Sequence, residues 1–119
     1  SSDLLKNAKS NGGVWADFDN DWNLDFYTTS SDSQGDKLWR NNGKGLFIDV
    51  TEKAGNISDD YPTEGAAWAD YNNDGFVDLY LANYENWAKH TYMPDILYKN
   101  NGNGTFTNVT KEAKILPPL

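Results

Sequence analysis

The sequence predicts an all-β protein of two four-stranded antiparallel sheets, and three observations carry that expectation. The first is an internal repeat: residues 13–29 and 66–82 agree at seven of seventeen positions at an offset of 53. Further on, residues 38–54 match 97–113 at nine of seventeen at an offset of 59, which places a six-residue insertion between Asn83 and Leu97. The second is composition. Of 18 acidic residues 14 are Asp and 4 are Glu, with 15 Asn besides, and these short side chains favour turns over helices because they bond back to their own backbone. The third is Asn-Asn-Gly-x-Gly at 41–45 and again at 100–104, a hairpin signal flanked by aromatic and branched residues.

Each copy divides into four strand-like runs. Gly13–Phe18 opens the first copy and ends where an Asp-rich segment begins; 24–30 comes next, with Phe26 and Tyr27. The run 36–41 carries Leu38 and Trp39, and 46–50 returns after the glycine turn. In the second copy the runs are 65–71, 77–84, 95–100 and 105–109. Four antiparallel strands per unit form a meander, and a repeat of roughly 40–50 residues with four strands is the pattern of a propeller blade. A self-contained eight-stranded sandwich or barrel is the alternative. The expected organisation is an N-terminal extension (1–12), a first blade (13–55), a linker (56–64), a second blade (65–114) and a C-terminal tail (115–119). Trp15 and Trp68 recur in register and are expected in the core between blades. A closed propeller has at least about four blades, so the pair is expected to be part of, or to assemble into, a larger propeller.

Charge and composition narrow the function. The 119 residues carry a formal net charge of −8 and no cysteine, with a single histidine. Disulfides, thiolate nucleophiles and Cys- or His-based metal clusters are therefore excluded. Nucleic acid and membrane insertion are not expected, because the sequence offers neither a basic footprint nor an apolar run of about 18 residues. Cations are the natural counterpart.

The acidic residues concentrate between the first and second strand of each copy. Asp17, Asp19, Asp21 and Asp25 stand at loop positions one, three, five and nine, and Asp70, Asn72, Asp74 and Asp78 stand at the same positions of the second loop. Hard divalent ions take about six to eight oxygen ligands, and alternate residues of a tightly curled loop turn their side chains toward one point. Calcium fits such a site, one per repeat. The loop is not an EF-hand: position twelve, a Glu there, is Thr28 or Leu81 here, and the segments 25–29 and 78–82 are strand-forming where an EF-hand has a helix.

Gly65-Ala66-Ala67-Trp68-Ala69-Asp70-Tyr71-Asn72-Asn73-Asp74-Gly75-Phe76-Val77-Asp78-Leu79-Tyr80, with Leu97–Phe106 and Val109-Thr110-Lys111-Glu112-Ala113, resembles the FG-GAP/VCBS repeat family of calcium-binding β-propeller blades. The resemblance runs from Gly13 to about Lys114. It implies calcium binding through the side chains at positions one, three, five and nine and the carbonyl at position seven, which adds Asn23 and Phe76 to the ligand set. That family usually has Gly at position six, as Gly75 does; the first loop has Trp22. A positive φ there would cost a bulky residue about 1–2 kcal/mol.

The insertion creates a long connection containing Trp87, His90 and Tyr92. These side chains are suited to stacking on a sugar ring or gripping a protein partner, although aromatic abundance throughout the chain favours simple packing over the blade edge. His90 has no recognisable nucleophile beside it, and no paired acid and base stands outside the loops, so the chain is expected to be non-enzymatic. The expected role is a calcium-binding propeller module serving binding or adhesion in an extracellular, cell-surface or periplasmic setting. Its partners are expected to be other blades, in cis within a longer chain or in trans by homo-oligomerisation, with a protein or glycan ligand besides. The alternatives are a lectin-like propeller and a segment of a secreted polysaccharide-degrading enzyme.

Overall fold

The computed structural model describes residues 10–30, 35–58, 63–83 and 95–112. Two four-stranded antiparallel sheets account for them, with no helix among the described residues. The first sheet runs β1 (Ser10–Ala16), β2 (Asp25–Ser30), β3 (Lys37–Asn41) and β4 (Phe47–Asp49) in sequential order. The second repeats that meander as β5 (Thr63–Ala69), β6 (Asp78–Asn83), β7 (Ile96–Asn100) and β8 (Phe106–Asn108). The eight expected runs are all present, with shifted ends. β1 starts at Ser10, inside the segment expected to be an extension, and stops at Ala16. Asp17 and Phe18 leave the strand because the Phe18 N–H donates to Asp25 Oδ2 (3.2 Å) at the start of the loop. Tyr71 does the same with Asp78 Oδ2 (3.1 Å).

Register sorts each sheet into two faces, because side chains alternate along a strand. Trp15, Phe26 and Trp39 lie opposite one another on one face of the first sheet, and Val14, Tyr27 and Leu38 share the other. In the second sheet Trp68, Leu79 and Tyr98 form one face, which Leu81, Ile96 and Phe106 extend. The core lies where the Val14–Tyr27–Leu38 face meets the Trp68–Leu79–Tyr98 face, joined by Phe18, Ala54 and Ile57. Fully burying one such Leu or Phe contributes about 1.5–3 kcal/mol. Trp68 anchors the junction: its ring sits near Phe18 (6.4 Å), Tyr27 (6.4 Å) and Phe106 (6.1 Å), and its Nε1 donates to the Val14 carbonyl (3.3 Å).

Polar ties cross the same junction. The Phe106 N–H donates to the Ala54 carbonyl (2.9 Å). At the crossing Gly55 has φ +108°, and a Cβ there would lie 2.9 Å from Phe106 O, so only glycine fits. Asn100, buried, donates from Nδ2 to the carbonyls of Phe18 (2.7 Å) and Val77 (3.1 Å).

Trp15, the in-register counterpart of Trp68, does not enter this core. It is 51% exposed and stacks on Phe26 (4.2 Å) and against Phe47 (5.8 Å) on the outer face of the first sheet. The expectation of two core tryptophans therefore holds for one, since the interface between two sheets uses only one copy of each face.

Candidate metal centre

The two loops fold by the same set of backbone-to-carboxylate hydrogen bonds. Asp17 accepts from the N–H groups of Asp21 (3.1 Å) and Trp22 (2.8 Å), and Asp70 from Asp74 (3.1 Å) and Gly75 (2.8 Å). Asp21 Oδ1 accepts from Asn23 N–H (2.9 Å), and Asp74 Oδ1 from Phe76 N–H (3.0 Å). Asp25 takes a second N–H from Asn41 (2.8 Å) and Asp78 one from Asn100 (2.7 Å), which ties each loop to the third strand of its own sheet. These are Asx-type turns, so the carboxylates shape the loops. They keep capacity for a cation, because an ionised carboxylate offers about four acceptor sites.

That shaping brings the carboxylates together. One oxygen from each of Asp17, Asp19, Asp21 and Asp25 lies within 4.8 Å of the others, and so do oxygens of Asp70, Asp74 and Asp78. Oxygens on opposite sides of a calcium ion are separated by about 4.6–5.2 Å, twice the usual bond length. The first loop also contains an unsatisfied atom: Asp19 Oδ1 is buried without a hydrogen-bond partner. A buried carboxylate oxygen is costly when unpaired, and a cation is a suitable partner. The residues present thus fit a hard, oxygen-bound metal ion.

Electrostatics point the same way. Burial, above all, pushes the Asp25 carboxyl up to about 7, reinforced by the charges of Asp19 and Asp21 and opposed by the N–H groups of Asn41 and Phe18. Burial also raises Asp78. Asp70 moves the other way, chiefly because the Gly75 N–H bonds its charged form.

Asn72 occupies the third position of the second loop and is exposed, so that loop offers three carboxylates where the first offers four. Asn23 and Phe76, whose carbonyls the family resemblance nominates, sit two residues before Asp25 and Asp78 in equivalent turns. Trp87, His90 and Tyr92 lie outside the described residues.

Trp22 adopts the conformation expected to strain it, φ 71°, where Gly75 has φ 89°. Its side chain is 96% exposed and contributes no core packing. Trp22→Gly is therefore expected to stabilise the chain by about 1 kcal/mol, the left-handed penalty less the entropic cost of glycine. A higher denaturation midpoint in urea would show it; an unchanged or lower midpoint would count against strain at this position.

Sequence reasoning did not find Arg40. This side chain reaches from β3 to the first loop, with Nε 3.0 Å from Asp19 Oδ2 and Nη2 3.7 Å from Asp21 Oδ2. The signal was present as the pairing of Arg40 with Lys99 at the 59-residue offset. Asn41 and Asn100, turn formers by sequence, also hold the ninth-position carboxylates through their N–H groups.

Tandem antiparallel four-stranded sheets, each with an acidic loop between its first and second strands, define an all-β repeat protein. The family model for the FG-GAP-like repeat matches residues 17–81, more than half of the chain, spanning both acidic loops and the junction between the sheets. The chain belongs to the FG-GAP-like repeat family. No curated protein matches it.

Proposed function

We propose that this chain is a calcium-binding pair of propeller blades, non-catalytic, serving binding or adhesion outside the cytoplasm. The observation that carries the reading is the in-register convergence of carboxylates in both loops, reinforced in the first by the unpartnered Asp19 Oδ1. Asp17, Asp19, Asp21 and Asp25 would hold one ion, and Asp70, Asn72, Asp74 and Asp78 the other, with the carbonyls of Asn23 and Phe76. Calcium would supply charge neutralisation and cross-linking at each hairpin tip. Weak sites of this type fill at about millimolar calcium, which favours an extracellular, cell-surface or periplasmic setting.

The proposed partners are further blades, in a longer chain or in a second copy. Support comes from the repeat itself. The Trp68 face of the second sheet packs on the Tyr27 face of the first, and the Trp15 face is its in-register counterpart, left half exposed. A further blade presenting a Tyr27-like face would cover Trp15 as the first sheet covers Trp68.

Calcium is expected to raise the melting temperature, because it binds the folded loops and not the unfolded chain. The effect should depend on pH. Without metal, Asp25 binds its proton more tightly in the folded state, at about 7, than at the ordinary value of 3.8. The folded state therefore holds more protons across that window, and the metal-free stability falls as pH rises through it. Calcium requires the carboxylate form, so its stabilising increment should be larger at pH 7.5 than at pH 5. Melting curves in calcium and in chelator at both values test this; superimposable curves at pH 7.5 would sink the calcium reading.

A further inference from the structure

The two loops differ in one charge pair. The first has Asp19 where the second has Asn72, and Arg40 lies against Asp19 and Asp21. Lys99 is the counterpart of Arg40, placed opposite Thr107 on β8 as Arg40 is opposite Ile48 on β4. Among the described residues, no ion pair joins Lys99 to the second loop. The extra carboxylate and the engaged guanidinium therefore occur together in one loop and are both missing from the other.

We propose that Arg40 is a built-in counter-cation of the first loop, offsetting Asp19 so that the loop stays closed without calcium, at the expense of calcium affinity. This rests on the calcium reading above. Four carboxylates within 4.8 Å repel one another strongly when no cation is present. The guanidinium relieves that repulsion from the Oδ2 side of Asp19, in a charge-assisted contact of 3.0 Å. It leaves Oδ1 buried and unpartnered, so the carboxylate is oriented by Arg40 and still has an oxygen to give.

A fixed positive charge beside a cation site also repels the incoming ion. Both consequences have definite signs. Removing the charge should tighten calcium binding at the first loop by about tenfold and weaken the metal-free fold. Arg40 is partly solvent-exposed, so Arg40→Gln leaves no unfilled space in the core.

The test is calorimetric titration of the whole chain with calcium chloride, alongside melting in chelator. Asp74→Asn weakens the second loop while keeping an oxygen for the Phe76 N–H, so the remaining heat reports the first. In that background Arg40→Gln should bind calcium about tenfold more tightly than the parent, and Arg40→Lys, which keeps the charge, should stay near the parent value. In chelator, Arg40→Gln should melt below wild type, so that its calcium-induced increment is the larger. Equal or weaker affinity for Arg40→Gln in the Asp74→Asn background overturns the proposal while leaving the calcium reading intact. If the wild-type chain binds calcium but the Asp74→Asn background does not, the first loop is no calcium site, and the proposal fails without the second loop's reading. Absence of calcium binding in wild type and Arg40→Gln alike overturns both.

Discussion

Replacing Trp68 with alanine is expected to cost the folded chain about 3 kcal/mol, the low end of the range for a large aromatic removed from a packed core, because the ring is partly buried. Trp68 touches both sheets. Its ring lies among Phe18, Tyr27 and Phe106, and its Nε1 holds the Val14 carbonyl, so the variant loses apolar burial, aromatic contacts and a hydrogen bond at one junction. Trp15→Ala is the natural control, being the same residue at the equivalent strand position. Because Trp15 is half exposed, its removal should cost less than about half as much. Trp68→Phe, which keeps a ring but loses the indole donor, should fall between the two. Chemical denaturation of the three variants reads these differences. Equal losses for Trp68→Ala and Trp15→Ala would mean that the sheets do not pack as described.

The second large effect is expected at Asn100. Its amide nitrogen donates to Phe18 O and Val77 O, while its Oδ1 accepts from the Gly102 N–H (2.9 Å). Asn100→Ala removes all of these and strands carbonyls at the sheet junction. With about 1–3 kcal/mol for each buried group left unpaired, and some relaxation, the expected loss is about 2–4 kcal/mol. Asn41, at the equivalent position, likewise accepts the Gly43 N–H (2.8 Å), and its main-chain N–H holds Asp25. It stands on the outer face with Trp15, so Asn41→Ala should cost only the turn contact, about 1 kcal/mol. Hydrogen exchange adds a local readout: Gly102 should exchange faster in Asn100→Ala. A variant as stable as wild type would show that the junction does not depend on this side chain.

These pairs of unequal equivalents show how much was legible in the sequence. Strand positions came from local information, because alternation, aromatic and branched residues, and glycine turns act within a few residues. Gly43, Gly45, Gly102 and Gly104 all take positive φ, as the Asn-Asn-Gly-x-Gly hairpins require. The acidic loops were legible for the same reason, since their carboxylates bond N–H groups two to seven residues away. Even the strain at Trp22 came from comparing the sixth loop positions.

Contacts between distant segments were not legible. Arg40 reaches Asp19 across 21 positions, and Asn100 reaches Phe18 across 82. Neither pairing has a spacing rule, because each depends on how a strand returns past a loop or how one sheet lands on the other. The 10–12 segment shows the same limit on a smaller scale: it lies outside the repeat match, yet Ser10 pairs with Ser30 and Gly12 with Thr29.

The all-β class, the two repeats with their four strands each, and the carboxylates that line each loop are all written in the chain's local order. Those properties are local, and the chain writes them nearly the same way twice. Packing of one sheet on the other settles which tryptophan packs against the core, which asparagine bridges the sheets and which loop carries its own guanidinium. The two similar sheets meet here by opposite faces, so packing gives equivalent residues different surroundings, and that difference is not encoded in either repeat alone.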